Sequence, residues 1–181
     1  LLCVNAPEAY GGQGADFLYS AILIEEMARA GATGPTFYLH SDIVAPYLVD
    51  FGTEAQKAKW LPRMATGDVV VALGMSEPSG GSDVQNIRTQ AIRDGDEYVI
   101  NGQKVFTTNG HTADLVLLAC KTDPKQKAKG VSLILVETDR PGFTRGRKLE
   151  KIGCKAQDTS ELFFSDLRVP VSNLLGTEGG G

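Results

Sequence analysis

The chain has 181 residues, 42% of them hydrophobic and 22% charged, enough for one sizeable core or two small ones. A net charge of −4 gives no electrostatic case for nucleic acid, and no apolar run approaches the roughly 20 residues of a membrane span. The cysteines, Cys3, Cys120 and Cys154, are odd in number and lack a C-x-x-C pair, which argues against a disulfide framework or zinc site and for a reducing compartment.

Leu1-Leu2-Cys3-Val4 is apolar from its first residue and runs into a loop from Pro7 to Gly12, so an earlier segment is expected before it. Asp16 can cap a helix from Phe17 to Ala30. Phe17, Ala21, Ile24 and Ala28 fall at three- and four-residue steps, Glu25 and Glu26 lie towards water, and Gly31 is the stop. A second helical stretch runs from about Pro35 to Val49, kinked or broken at Pro46. Thr53-Glu54-Ala55-Gln56 is a capping-box pattern that opens a third helix through Trp60 towards Met64, perturbed at Pro62 and ended by Gly67. Residues 1–67 read as a helical domain.

At Asp68 the pattern changes. Val69 to Leu73, Leu115 to Ala119 and Val131 to Val136 are short, β-branched-rich runs between turn residues. Asp94-Gly95 and Asn101-Gly102 suit tight hairpins, which predicts strands over Ile87–Ile92, Tyr98–Ile100 and Gln103–Thr107. Glu161 to Phe164 makes another strand before Val169-Pro170 turns the chain away, and Lys121 to Lys129 is a solvated loop. No helix of useful length separates these strands, so residues 68–172 should form an antiparallel sandwich or open barrel, giving an α+β chain. Residues 173–181 look like a linker towards another domain.

The stretch with the most chemistry is Leu73-Gly74-Met75-Ser76-Glu77-Pro78-Ser79-Gly80-Gly81-Ser82-Asp83. Its glycines permit close backbone approach to a ligand, and Ser79 and Ser82 add hydroxyls, so it can wrap a phosphate or a flat heterocycle. It is neither a Walker loop nor a G-x-G-x-x-G fingerprint. From the residues alone, an ordinary strand-to-strand turn is an equal reading. Glu77 and Asp83 could be taken for a catalytic carboxylate pair, or for residues that shape the loop. Arg145, Arg147, Lys148 and Lys151 could meet phosphates or form a solvated face. His40 and His111 are too few for a metal site, and Cys120 reads as a core residue.

Read as a string, Leu73 to Asp83 closely resembles the flavin-binding signature of the acyl-CoA dehydrogenases. Tyr98 to Gly110 resembles the second flavin-contacting stretch of that family, with Phe106 at the aromatic position and Thr108 at the hydroxyl facing flavin N5. Gly146 to Phe164 resembles the segment near the end of the β-domain, closest to long-chain members. The resemblance covers the whole chain and implies part of a helical N-terminal domain and the middle β-domain, without the first helices or the C-terminal four-helix domain.

It also implies FAD as cofactor, contacted by Leu73, Gly74, Met75, Ser76, Glu77, Pro78, Ser79, Gly80, Gly81, Ser82, Phe106, Thr107 and Thr108, with Ser82 also meeting the acyl-CoA substrate. The implied activity is α,β-dehydrogenation of acyl-CoA thioesters, as in fatty-acid β-oxidation. The family's base is a Glu from the C-terminal domain, so no residue here matches it and the chain alone is expected to be inactive. Implied partners are an electron-transfer flavoprotein and further copies of the protein, a tetramer at full length, in a bacterial cytoplasm or mitochondrial matrix. An acyl-CoA oxidase and a non-catalytic flavin- or CoA-binding module are the alternatives.

Overall fold

The helical half is assembled from local signals. In the computed structural model, which describes residues 1–181, α1 (Phe17–Arg29) starts where the Asp16 carboxylate accepts from the Leu18 N–H at 2.9 Å. Only Ser20 of this helix is buried, its hydroxyl 2.5 Å from Asp42 Oδ1. The face carrying Phe17 and Ile24, which its periodicity marks for packing, is instead exposed.

The chain is helical again ahead of α2 (Ala45–Phe51), but Leu39–Val44 is a π-turn, with the Ala45 N–H bonded to the His40 carbonyl. Pro46 lacks an N–H and its ring crowds the carbonyl four residues back, so a widened turn absorbs the mismatch without breaking the helix. In α3 (Glu54–Thr66) both halves of the capping box form, Gln56 N–H to Thr53 Oγ1 at 3.2 Å and Thr53 N–H to Gln56 Oε1 at 2.9 Å. Gly67 closes it at φ 84°, and Pro62 sits inside without ending it.

The strands are β1 (Val71–Gly74), β2 (Gln90–Asp94), β3 (Glu97–Thr108), β4 (Leu115–Lys121), β5 (Val131–Glu137), β6 (Phe143–Lys148), β7 (Thr159–Pro170) and β8 (Leu174–Leu175). They form one sheet in the order β6-β7-β3-β2-β4-β5-β8, with β1 beside β4. Pairing is antiparallel except for β1 with β4 and one contact, Gln90 with Lys121, between β2 and β4. The β2–β3 hairpin, turning at Gly95 with φ 62°, runs β3 against the sense of β1, and the turn after Thr108 reverses the chain again, so that β4 lies parallel to β1. All seven residues of β4 are buried, and their alternation divides the core. Leu115 and Leu117 pack with Leu48, Trp60, Leu61 and Met64 of the helices, while Val116, Leu118 and Cys120 pack with Tyr98, Ile100, Leu162 and Leu167 inside the sheet.

Several sequence expectations need correction. Asn101-Gly102 is not a hairpin, because β3 runs straight through it. The glycine is needed for close approach, since a Cβ there would lie 2.5 Å from Thr89 Oγ1. The irregularity at this point belongs to β7, where Asp166 takes φ 48° and donates its N–H to Asn101 Oδ1 at 2.9 Å. The strand expected from Ile87 begins at Gln90, after a 3-10 turn over Val84–Asn86. Arg145, Arg147 and Lys148 of the basic run lie in an edge strand, β6, whose lack of buried positions left no alternation to read. β7 continues through Val169 to Pro170, and Leu174–Leu175, expected in a linker, pairs with β5.

Candidate functional site

After β1 the chain leaves the sheet at Met75 and Ser76 and closes a turn in which Glu77 and Gly80 exchange N–H···O bonds of 3.3 and 3.1 Å around Pro78-Ser79. Glu77 turns inward. Its carboxylate accepts from Lys104 Nζ at 2.8 Å and from the Arg88 and Thr89 N–H groups at 2.6 and 3.0 Å. Lys104 Nζ also donates to the Met75 carbonyl at 3.0 Å. Burial opposes ionisation of Glu77, but the ammonium and the two amides outweigh it and hold the carboxyl below its ordinary range. Burial likewise lowers Lys104, with Glu77 working against the shift. Pro78, Ser79, Gly81 and Ser82 stay exposed, and Gly81 has open space where a Cβ would stand.

The second stretch arrives on β3. From Lys104 to Thr107 this strand takes three steps while β7 takes two, from Leu162 to Ser160. The extra residue produces a bulge at Phe106, with φ 56° and the residue 70% exposed. A bulky residue in the left-handed region costs about 1–2 kcal/mol and persists only where its surroundings over-determine it. The restraints are visible on both sides: the Val105 N–H donates to the Ser76 carbonyl at 2.9 Å, and Thr107 is buried. Beyond Thr108, Asn109 Oδ1 accepts from Thr36 Oγ1 at 2.6 Å and its Nδ2 donates to the Val71 carbonyl at 3.1 Å. The Asp158 carboxylate accepts from the His111 and Thr112 N–H groups at 2.7 and 2.8 Å.

Comparison with known proteins agrees along the chain. Residues 1–68 match the acyl-CoA dehydrogenase N-terminal domain, and residues 72–167 match the acyl-CoA dehydrogenase middle domain. The chain belongs to the acyl-CoA dehydrogenase family. It is 49% identical over 183 aligned residues to the long-chain specific acyl-CoA dehydrogenase of Mus musculus, covering 100% of this chain and 43% of that one. It is 40% identical to an acyl-CoA dehydrogenase of Bacillus subtilis, covering 100% of this chain and 48% of that one. The crystal structure of an acyl-CoA dehydrogenase from Geobacillus kaustophilus superposes with a TM-score of 0.96 at 55% identity, over 99% of this chain and 48% of that one. The chain thus spans about half the length of these relatives.

Within the chain the two stretches singled out by sequence lie side by side, joined by the Ser76–Val105 bond. Leu73, Met75, Ser76, Gly80 and Thr108 are half-buried, and Pro78, Ser79, Gly81, Ser82 and Phe106 are exposed. Gly74, Glu77 and Thr107 are buried, so the Glu77 carboxylate faces Lys104 rather than a ligand. Glu77 and Asp83 make no pair: Asp83 is exposed and bonds Asn86. The basic run is largely engaged within the chain, Arg145 on the Ala113 carbonyl, Arg147 on Glu161 and Lys151 on the Gln157 carbonyl. His40 Nε2 lies 3.0 Å from the Met64 carbonyl, and burial lowers its pKa.

Sequence reasoning missed Lys104 and Thr89. The signal for Lys104 was present, because the inward alternation of Tyr98 and Ile100, carried on along β3, puts an ammonium inside the sheet where it requires a carboxylate.

Proposed function

We propose that this chain holds FAD and part of the acyl-CoA site of an enzyme that carries out α,β-dehydrogenation of acyl-CoA thioesters. The observation that carries this reading is the 2.9 Å bond from the Val105 N–H to the Ser76 carbonyl, which sets the glycine-rich loop against the bulge bearing Phe106. The residues present suit a flat heterocycle with a polar rim and phosphates. The Ser76 N–H has no acceptor in the chain, the Phe106 ring stands clear of the sheet, and the Gly81 region is open.

When bound, a flavin supplies the acceptor for the hydride that leaves the β-carbon of the thioester. In this proposal the backbone from Leu73 to Ser76 lines the flavin edge, and Gly80 and Gly81 allow close approach. Ser82 meets the phosphates and the acyl-CoA, with Pro78 and Ser79 shaping the same loop. Phe106 would cover the ring and exclude water, and the Thr108 hydroxyl would be offered to the flavin from the same strand. Glu77 is assigned to holding the loop rather than to proton abstraction, because its oxygens are committed to Lys104, Arg88 and Thr89. No residue of the chain is assigned as the base.

Long-chain acyl groups are the proposed substrates, a reading supported by the name of the mouse relative. An electron-transfer flavoprotein as acceptor, self-association, and a bacterial cytoplasmic or mitochondrial matrix setting belong to the same proposal. So does a division into a helical domain over residues 1–67 and a flavin-holding β-domain over residues 68–172, followed by residues 173–181 as a linker that first pairs with β5 through Leu174–Leu175.

A visible spectrum of the purified chain with FAD, before and after anaerobic addition of palmitoyl-CoA, tests this. The expected result is a bound-flavin spectrum that acyl-CoA does not bleach. Bleaching would place a working base inside these residues and return attention to Glu77. Failure to bind FAD would overturn the flavin-holding assignment.

A further inference from the structure

Lys104 is the charge that the fold has least reason to bury. Its side chain is 0% exposed, on a strand whose neighbouring inward positions are Tyr98 and Ile100. An apolar residue of similar volume would avoid the desolvation that one carboxylate offsets only in part. The Lys104 ammonium has two acceptors, Glu77 Oε1 at 2.8 Å and the Met75 carbonyl at 3.0 Å. The second contact reaches the site.

The Met75–Ser76 peptide is trans, so the Ser76 N–H points away from the carbonyl that Lys104 holds. This N–H has no acceptor in the chain, and Ser76 is half-buried beside the Phe106 bulge. A cation on the oxygen of an amide withdraws electron density from it and makes its N–H a stronger donor. Glu77, on the same ammonium, limits how much of that field the amide receives.

We infer that Glu77 and Lys104 are positioning residues that tune the Ser76 N–H as a donor to the bound cofactor, Lys104 strengthening it and Glu77 restraining it. The inference rests on the FAD reading above. A stronger donor favours whichever ligand state carries more negative charge at that edge, and for flavin this is the reduced state. The two residues therefore act on the flavin potential with opposite sign, whereas mere loosening of the loop would move it the same way for both.

The test is potentiometric titration of the FAD-loaded chain against a reference dye, with no turnover involved. Lys104→Met should lower the midpoint potential and Glu77→Gln should raise it. Each should change the ratio of affinities for reduced and oxidised flavin by about tenfold, which is about 30 mV for a two-electron couple. The double variant should fall between the singles. Shifts of the same sign, or no shift in either, overturn the inference. If Lys104→Met does not fold by thermal melting, Glu77→Gln decides alone, because its amide oxygen can still accept from Thr89: a rise supports the inference, and a fall or no change overturns it. Failure of the unaltered chain to bind FAD removes the reading beneath it and the inference with it, a result distinct from any difference among variants.

Discussion

α1 and α3 are both 13 residues long and both begin at a capped residue, Asp16 in one and Thr53 in the other, yet they hold very different places in the molecule. α3 buries Gln56, Trp60, Leu61 and Met64, and the Gln56 amide reaches the Ser172 and Leu174 carbonyls at 2.8 and 2.9 Å. α1 buries only Ser20 and leaves Phe17, Leu18, Tyr19, Ile22 and Ile24 exposed among these residues. Caps and apolar spacing decide whether a helix forms and which side is greasy. What covers that side is decided elsewhere.

The contrast can be pressed by substitution. Leu61→Ala should cost about 3–4 kcal/mol, because Leu61 is fully buried between the helices and β4, and a urea titration will read it. Acid should loosen the same junction through Glu137 on β5. Burial opposes its ionisation, but Arg140 and Lys59 of α3 more than reverse this and hold its pKa at about 2. The contribution, on the order of 3 kcal/mol, is present above the ordinary pKa of 4.5 and lost as pH falls towards 2. Melting temperature against pH should therefore fall less steeply across that window in Glu137→Gln than in the unaltered chain.

Gln56→Ala removes half of the capping box and two bonds to backbone carbonyls, and should cost about 2 kcal/mol in the same titration. The smallest effect belongs to α1, where Ile22→Ser at a half-exposed position should change stability by about 0.5 kcal/mol or less. A loss comparable to that of Leu61→Ala would show α1 to be as embedded in solution as α3, and the contrast would fail.

The features legible in the sequence were those whose cause lies within a few residues. The Asp16 and Thr53 caps, the Gly67 stop and the Asp94-Gly95 turn each form where the residues placed them. Asn101-Gly102 carries similar turn chemistry and misled, because the reason for the glycine is Thr89 against its backbone. β6 gave no alternation, since an edge strand without buried positions has no inside to mark. At the candidate site, both stretches were readable as strings of residues. Their juxtaposition through Ser76 and Val105, and the Lys104 ammonium beneath them, depend on pairings across the fold.

Phe106 stands on an inserted residue rather than on a regular position of the strand. On either side of it Lys104 faces Leu162 and Thr107 faces Ser160, both still turned to the interior. The aromatic was thus added to the sheet without taking a place from the core. Variation at this position can exchange one ring for another, or dispense with the ring, while every interior neighbour keeps its partner. A lineage carrying this bulge is free to revise what the strand shows to its surroundings without renegotiating how it folds.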